Sequence, residues 1–371
     1  MSTLPPADTR RDGEARWPLG LFVALLVVGG GAAFLTRDHP PDVRLRRERR
    51  PQRIMGTSCR LMVVVRRSAR SRAGAALQAA ESALRDVERR MSSWIGSSEL
   101  SRFNRGPADR AHPLSAPTLA VLKASRALFR RSGGAFDITC RPLIQLWRHA
   151  GKSGKRPTRA ELRGARAASG WPDIALRKAS ATKTRASARV DLGGIAKGYG
   201  IDRAVDALRA QGAPGGLVDV GGDLRVYGLP PLADRWEVAI RDPFAPTRKQ
   251  ARLIGTLAIK EGAVCTSGNY ARFSTIEGKR YSHILDPRSG EPADAIPSVT
   301  VIGPDAMRAD GWATALSVLG ESGLARLPKG FEAMLVLGKR GAARAVVTPG
   351  FAQLFRKRPP FAISEVSRPG R

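Results

Sequence analysis

An uncharged apolar run near the N-terminus sets the first limit on what this chain can fold into. Residues 19–35 read LGLFVALLVVGGGAAFL, which is the short end of the length that spans a bilayer. Arginines at positions 10, 11 and 16 precede the run, as in the n-region of an export signal. We therefore expect residues 1–18 to form an N-terminal tail and residues 19–35 to be a transmembrane anchor or an uncleaved signal.

The charges after this run leave the orientation in the membrane open. Seven arginines lie between positions 37 and 53, and the positive-inside rule would hold the segment that follows in the cytoplasm. Residues 36–53 are basic and contain prolines, so they are predicted to be a linker. The folded part of the chain is expected to begin at Ile54.

Composition indicates a globular protein with a strong basic bias. Of the 371 residues, 42% are hydrophobic. The chain has 63 Lys and Arg residues and 32 Asp and Glu residues, which gives a formal net charge of +31. Such an excess suits nucleic acid, an anionic membrane surface or an anionic small molecule, or simply a solvated basic surface. Few aromatic residues are interleaved with the basic ones, so no specific nucleic-acid partner is expected. The three cysteines show no CxxC spacing, which argues against structural zinc.

Strand and helix patterns alternate after residue 54 and predict the α+β class. The β-branched run CRLMVVVR at 59–66 predicts a strand. A second helix is predicted over 118–131, ended by Gly-Gly at 133, and a third over 310–320. The basic, weakly periodic stretch 152–189 is predicted to be a surface excursion. Apolar residues spaced by three and four predict the first helix, from Arg72 onward: Leu77, Ala80, Leu84, Val87 and Met91.

Two glycine-containing motifs are candidate ligand sites. VDLGGIAKG predicts a short strand, a tight turn and a helix, whose first amides and Lys197 suit an anion. The alternative is a tight turn with an exposed lysine. DVGGDLRVYG predicts a strand that is interrupted at Gly221-Gly222, with Asp219 and Asp223 on either side. Such an interruption is typical of a place where a ligand crosses a sheet. The alternative is a bulged strand with edge carboxylates.

Two further features add polar groups of catalytic type. Asp310 and Thr314 are spaced i and i+4 on a predicted helix, so their oxygens share one face and suit Mg²⁺. The alternative makes Asp310 an ordinary helix N-cap. His283 lies in YSHILDPRSG, before an Asp-Pro turn; it is either a group for proton transfer near neutral pH or a packed corner residue.

These segments, in this order, resemble one family, the flavin transferases of the ApbE type. The matching blocks are MGTSC, ERRMSSWIGSSELSRFNR, GGAFDIT, VDLGGIAKGYGIDRAVDAL, DVGGDLRVYG, CTSGNYARFSTIEGKRYSHILDPRSGEP and DGWATAL. The resemblance implies an Mg²⁺-dependent enzyme that transfers FMN from FAD, its substrate, to a threonine of an acceptor flavoprotein. It also implies a T-fold-like α+β domain over 54–358, with mixed, largely antiparallel sheets, flanking helices and FAD between two lobes, followed by a C-terminal tail at 359–371.

The resemblance also implies a role for individual positions. His283 matches the histidine linked to transfer. Gly194, through its carbonyl, and the side chains of Asp310 and Thr314 match the metal ligands. The positions that match FAD contacts are Met55, Trp94, Ala135, Phe136, Asp137, Asp191, Lys197 and Ile284.

One departure from the family concerns Arg141, which stands where the family usually has glycine and would either crowd the site or add a phosphate contact. Two alternatives to transfer remain: an FAD pyrophosphatase that gives FMN and AMP, and a membrane-tethered protein that binds FAD without turning it over. Because family members are commonly exported, we expect the catalytic domain on the outer face of the inner membrane.

Overall fold

The structure is a computed structural model that describes residues 44–245, 252–269 and 273–366. The predicted tail at 1–18 and the predicted anchor at 19–35 lie outside these ranges. Within them, no helix is both long enough and apolar enough to cross a membrane.

Helices and strands alternate through the described chain, as the sequence predicts. In the described part the α-helices are α1 (Arg72–Met91), α2 (Glu99–Arg105), α3 (Ala116–Ser132), α4 (Arg141–Ser153), α5 (Arg159–Ala167), α6 (Ala196–Ala210), α7 (Ala306–Leu319) and α8 (Pro349–Ala352). The first strands there are β1 (Arg44–Arg49), β2 (Cys59–Arg66), β3 (Ala111–Pro113), β4 (Ile174–Leu176), β5 (Ser180–Lys183), β6 (Gly215–Val220), β7 (Asp223–Gly228), β8 (Trp236–Arg241) and β9 (Leu253–Ile259). The later ones are β10 (Gly262–Gly268), β11 (Phe273–Ile276), β12 (Lys279–Ser282), β13 (Ser298–Gly303), β14 (Glu332–Lys339), β15 (Ala342–Val347), β16 (Phe355–Lys357) and β17 (Ala362–Glu365).

A nine-stranded sheet forms the centre, in the order β1-β2-β6-β7-β10-β13-β14-β15-β17. Its neighbouring strands are antiparallel except for β15 and β17, which are parallel. Alternate residues of β2 enter different cores, because successive side chains of a strand point to opposite faces. Val63 packs in the large core with α1, α6 and α7, whereas Val64 packs in the core with β8 and β9. The α+β class with largely antiparallel sheets is therefore confirmed.

The limits predicted for the folded part are wrong at both ends. β1 lies inside the predicted linker and pairs with β2 along its whole length, from Arg44 opposite Arg66 to Arg49 opposite Leu61. β17 lies inside the predicted C-terminal tail and pairs with β15. Charged edge strands carry little hydrophobic signal, since their stability comes from backbone pairing with an inner strand. The described residues group as one compact unit, so the expected two lobes are not separate compact bodies.

The predicted surface excursion at 152–189 is also wrong. It contains α5, β4 and β5, and β5 is the middle strand of a small sheet ordered β3-β5-β4. Trp171 is only 7% exposed and Lys183 is fully buried. The basic composition concealed these elements because a buried lysine breaks the usual pattern of polar surface and apolar core.

The segment around Gly221-Gly222 is a hairpin and not one interrupted strand. β6 and β7 pair up to Val220 opposite Asp223, which leaves the two glycines as the turn. Both glycines have positive φ angles, 69° and 99°, a conformation that two-residue hairpin turns need and glycine adopts without steric cost. The turn fixes Asp223 at the start of β7.

The predicted helices are confirmed: α1 begins at Arg72 as predicted, whereas α3 and α7 begin earlier than predicted. The apolar positions predicted to share one face of α1 are all buried: Leu77, Ala80, Leu84, Val87 and Met91. α3 ends at Gly133, whose φ of 62° closes the helix in the left-handed region. α7 begins four residues before Asp310, and its N-cap is Asp305, which accepts a hydrogen bond from the Arg308 amide. The N-cap alternative for Asp310 is therefore wrong.

Candidate active site

A side-chain amide positions the chain that leads into α6. The short strand predicted before the Gly-Gly turn does not form: residues 188–192 belong to no sheet. Instead the Asn104 side chain donates to the Val190 carbonyl and accepts from the Val190 amide, both at 2.8 Å. This pair of hydrogen bonds takes the place of a neighbouring strand and satisfies the buried backbone amide and carbonyl of Val190. The next residue, Asp191, is then placed so that its amide donates to the Ile138 carbonyl at 2.7 Å.

Close packing of α6 against α7 brings the two predicted ligand motifs together. A methyl group built on Gly198 would lie 2.1 Å from the Ala306 carbonyl oxygen, so only glycine permits this approach. Asp202 of α6 accepts from the amides of Ala306 and Met307, both at 2.9 Å, and so caps the first turn of α7. Burial raises the pKa of Asp202, and this effect outweighs the lowering by those two hydrogen bonds and by the charge of Arg225. The crossing of the two helices is thus held by backbone contacts and by one buried carboxylate.

Two buried carboxylates meet one ammonium group at this crossing. Asp310 is 4% exposed; its Oδ2 accepts from the Gly198 amide at 3.0 Å and its Oδ1 lies 3.5 Å from Lys197 Nζ. Lys197 also forms an ion pair with Asp223, whose Oδ1 accepts from the Thr266 amide at 2.7 Å. These three side chains together carry one uncompensated negative charge in a buried setting, which a bound cation would offset.

The predicted metal ligands lie side by side at the same crossing. A methyl group built on Gly194 would lie 3.0 Å from Thr314 Oγ1 and 3.3 Å from Phe136 Cε2, so the Gly194 backbone faces the Thr314 hydroxyl. Asp310 lies one turn before Thr314 on α7. The described residues contain no group of three or more His, Cys, Asp and Glu placed to hold a metal. The side-chain donors here are instead a carboxylate and a hydroxyl, with the Gly194 backbone beside the hydroxyl, and hard oxygens of this kind fit Mg²⁺ together with water and phosphate.

Ala135, Phe136 and Asp137, three consecutive residues predicted to contact FAD, reach this cluster through Phe136, whose ring lies beside Gly194. Ala135 and Phe136 are buried. Asp137 Oδ1 accepts from the amide and hydroxyl of Thr139 at 2.8 and 2.7 Å. Burial nevertheless raises the pKa of Asp137. Asp137 also lines a cavity of about 420 Å³ with Arg288 and other residues of α5 and the 286–290 turn.

Met55 and Trp94 extend the surroundings of α6 in different ways. Met55 has a φ of 49°, in the left-handed region, and its amide donates to Glu88 Oε1 at 2.9 Å. A methyl group on Gly200 would lie 2.9 Å from Met55 Cε, so this side chain packs on α6. Trp94 is 78% exposed, and the Arg148 guanidinium lies 4.6 Å from its ring centre. An exposed tryptophan under a cation offers a flat apolar surface for another ring.

His283 and Ile284 follow β12 and lead into a rigid turn. Ile284 is buried at 7% exposure, whereas His283 is exposed. Asp286 accepts from the Arg288 amide and guanidinium at 2.8 to 2.9 Å. Burial alone would raise the pKa of Asp286, but these Arg288 contacts hold it below its usual value. The turn, through Arg288, reaches the cavity beside Asp137, and the role of His283 itself stays a prediction.

The cysteines take no part in this cluster as nucleophiles. Cys59, Cys140 and Cys265 are all buried and free of disulfides. Burial raises the pKa of the Cys59 thiol to about 12 and raises that of the other two well above the usual range. Thiolate chemistry near neutral pH is thereby disfavoured at all three positions.

Sequence reasoning missed roles for three residues of the site. Asn104 orders the segment before the Gly-Gly turn, and its place in the block SRFNR was the available signal. The sequence predicts Asp223 as a flanking carboxylate, and the structure shows that it is the partner of Lys197. Arg141 departs from the family pattern, and its guanidinium donates to Asp191 Oδ2 at 2.7 Å. Pairings of this kind join residues far apart in the chain, so spacing alone does not show them.

The fold and the cluster define an α+β protein with an oxygen-ligand site at the crossing of two helices. The sequence pattern that describes the ApbE family matches residues 55–335, and the chain belongs to this family. The FAD:protein FMN transferase of Vibrio cholerae is 36% identical over 241 residues, which cover 64% of this chain and 71% of that protein. The FAD:protein FMN transferase of Treponema pallidum is 31% identical over 323 residues, covering 82% and 85%.

Solved structures show the same similarity. The flavin transferase ApbE from Vibrio cholerae has a TM-score of 0.72 and 29% identity, and the match covers 84% of this chain and 99% of that one. The apo form of the Pseudomonas stutzeri flavinyl transferase ApbE also gives a TM-score of 0.72 at 29% identity, covering 85% and 99%. The fold assignment therefore agrees with the family assignment.

Proposed function

We propose that this protein is an Mg²⁺-dependent FAD:protein FMN transferase that modifies a threonine of an acceptor flavoprotein. The observation that carries the proposal is the meeting of Gly194, Asp310 and Thr314 where α6 crosses α7, beside Lys197. Relatives with this family's sequence pattern are named FAD:protein FMN transferases. The magnesium requirement, the threonine target and the residue roles below are parts of the proposal.

The residues of the crossing fit a magnesium ion by charge and by donor type. The Asp310 carboxylate, the Thr314 hydroxyl and the Gly194 carbonyl would hold it, and the surplus negative charge of Asp310 and Asp223 over Lys197 would be offset. When bound, such an ion neutralises charge that develops on a phosphoryl group and on its leaving group.

The protein's own groups would bind and orient the pyrophosphate of FAD. Lys197, held between two buried carboxylates, supplies a fixed positive charge next to the amides of the Gly-Gly turn. Met55 and Trp94 supply apolar surface for the ring systems of FAD. Fixing the scissile bond in this way lowers the entropic part of the barrier.

The reaction itself exchanges one phosphorus–oxygen bond for another. The threonine oxygen attacks the FMN-side phosphorus, the bond to the AMP oxygen breaks, and the hydroxyl proton is lost. The products are a phosphoester between threonine and FMN, and AMP. His283, exposed at the end of β12, is proposed to take or steer that proton, an effect of roughly 10²- to 10⁴-fold in rate.

Transfer is tested by incubating the protein with FAD, Mg²⁺ and acceptor segments that contain candidate threonines. Intact-mass spectrometry would show the acceptor gaining the mass of FMN less one water, with AMP in equal amount. FMN and AMP without an adduct, across several acceptors, would support the FAD pyrophosphatase alternative. Bound FAD that is never consumed would support the non-catalytic binding alternative.

We also propose that residues 19–35 anchor the protein in the inner membrane, with the catalytic domain outside the cytoplasm. The apolar run after three arginines supports an anchor or signal, and the basic flank at 37–53 argues against export. Protease added to intact spheroplasts should degrade the catalytic domain. Protection until the membrane is lysed would place the domain in the cytoplasm.

A further inference from the structure

Arg141, the first residue of α4, forms a buried ion pair at the edge of the candidate site. Its Nη1 donates to Asp191 Oδ2 at 2.7 Å, and the two side chains are 13% and 11% exposed. Asp191 lies two residues before Gly193 and three before Gly194, whose backbone faces the Thr314 hydroxyl. The guanidinium therefore stands next to the turn that leads to the proposed metal ligands.

Asp191 already accepts hydrogen bonds on both of its oxygens. Oδ1 accepts from the Gly193 amide at 2.9 Å. Oδ2 accepts from Ser93 Oγ at 3.1 Å as well as from Arg141. Three of the roughly four acceptor positions of this carboxylate are thus occupied, and its negative charge would repel a pyrophosphate. Its geometry is that of a group that holds the turn and Arg141 in place.

Arg141, in contrast, has donors to spare. A guanidinium carries five N–H groups in a fixed plane, and Asp191 takes one of them. The other nitrogens of Arg141 have no hydrogen-bond partner among residues 44–245, 252–269 and 273–366, and they are not sealed from solvent. The side chain as a whole is only 13% exposed, and its remaining donors can bind the oxygens of an anion.

A second arginine on the same helix face also reaches a residue predicted to contact FAD. Arg148 follows Arg141 by seven positions, which places both on one side of α4. The Arg148 guanidinium lies 4.6 Å from the ring centre of Trp94. The opposite side of α4 is buried, through Leu143 and Trp147. α4 thus presents two guanidinium groups to the predicted FAD contacts.

We propose that Arg141 binds an oxygen of the FAD pyrophosphate directly, and that Asp191 is the positioning residue that holds Arg141 there. This inference rests on the proposed function, because it names FAD as the anion. It assigns the departure from the family's usual glycine to a phosphate contact and not to crowding. One charge-assisted hydrogen bond of this kind corresponds to about 10- to 100-fold in affinity.

The test measures the Kd of FAD, by quenching of its fluorescence, for the wild type and Arg141→Gln at several salt concentrations with Mg²⁺ present. We expect the variant to bind FAD about 10- to 100-fold more weakly. We also expect its affinity to depend less on salt, because a charge contact to the ligand has been removed. Lys152→Gln, which removes an exposed charge near the other end of α4, should match the wild type in both respects.

Arg141→Lys keeps the positive charge and serves as the test if Arg141→Gln fails to fold. We expect it to retain the salt dependence of the wild type and to lose part of the affinity for FAD. Weaker binding with an unchanged salt dependence in Arg141→Gln would overturn the proposal, since a purely structural role predicts that result. Unchanged affinity would overturn it too. If the wild type itself does not bind FAD, the proposed function fails. If the wild type binds FAD and the variant binds it equally well, only the role of Arg141 fails.

Discussion

Two lysines in this protein occupy opposite kinds of site. Lys197 is partly exposed, at 27% of its side chain, and lies between the carboxylates of Asp223 and Asp310. Lys183 is completely buried, and within the described ranges its ammonium donates to the backbone carbonyls of Asn104, Ala186 and Ala188 at 3.0 to 3.4 Å. Lys197 faces a surplus of negative charge, whereas these acceptors of Lys183 are neutral carbonyls.

The difference separates a ligand site from a structural support. Carboxylates that outnumber their ammonium partner attract a further cation, and an ammonium open to solvent can reach a phosphate. A buried ammonium that donates to carbonyls stabilises the loops that carry them. Burial, and to a smaller extent the positive charge of the nearby Arg189, lowers the pKa of Lys183. The Asn104 carbonyl that Lys183 holds belongs to the residue whose side chain positions Val190. Lys183 therefore supports the site from behind.

The largest expected effect comes from removing the charge of Asp310. Asp310→Asn keeps an acceptor for the Gly198 amide but lowers the net negative charge at the crossing. We expect the Mg²⁺-dependent consumption of FAD to fall roughly 10³-fold, measured as AMP release at saturating FAD. Asp305→Asn is the matched control on α7, because asparagine is as good an N-cap as aspartate. A rate within threefold of the wild type for Asp310→Asn would mean that the metal is held elsewhere.

Truncation of Lys183 should act on stability. Lys183→Ala leaves a cavity and three carbonyls without their donor, so the free energy of unfolding should fall by about 3 kcal/mol. Denaturant unfolding measures this change. Lys178→Ala, at an exposed position two residues before β5 begins, should stay within about 0.5 kcal/mol of the wild type. Equal losses of unfolding free energy in the two variants would contradict a structural role for Lys183.

A smaller effect should appear in the pH dependence of stability. The lowered pKa of Lys183 means that the unfolded chain binds this proton more tightly than the folded one. Stability should therefore rise with pH between the lowered folded pKa and the ordinary lysine value of about 10.4. Lys183→Met lacks this titration, so its unfolding free energy, measured at intervals from pH 7 to 10, should rise less than that of the wild type. Parallel curves would contradict a lowered pKa at this position.

Local patterns in the sequence were sufficient for the helices but not for the sheet edges. The apolar spacing of α1 and the closing glycine of α3 are signals that lie within one element. β1 is strongly basic and β17 has only four residues, so neither carries a clear apolar pattern, and their stability comes from pairing with the inner strands β2 and β15. The burial of Lys183 depends in part on the carbonyl of Asn104, which is distant in the chain, so composition indicates a surface stretch where the chain is in fact internal.

The candidate site shows the same division. The spacing of Asp310 and Thr314 placed both on one face of a helix, and the motif at 191–198 predicted a turn before another helix. That the two motifs meet was inferred from the family resemblance and not from spacing. Their meeting depends on the close approach at Gly198, where any side chain would strike the Ala306 carbonyl. The Arg141–Asp191 pair also joins distant segments, so the sequence showed only that Arg141 was unusual.

The central claim is that the α6–α7 crossing holds the metal, and manganese binding tests it most directly. Mn²⁺ prefers the same oxygen ligands as Mg²⁺, and its binding in the presence of FAD is measurable by electron paramagnetic resonance. The wild type and Asp305→Asn should bind one equivalent, and Asp310→Asn and Thr314→Val should each bind at least about tenfold more weakly. If Asp310→Asn binds manganese as tightly as the wild type, the metal is not held at this crossing.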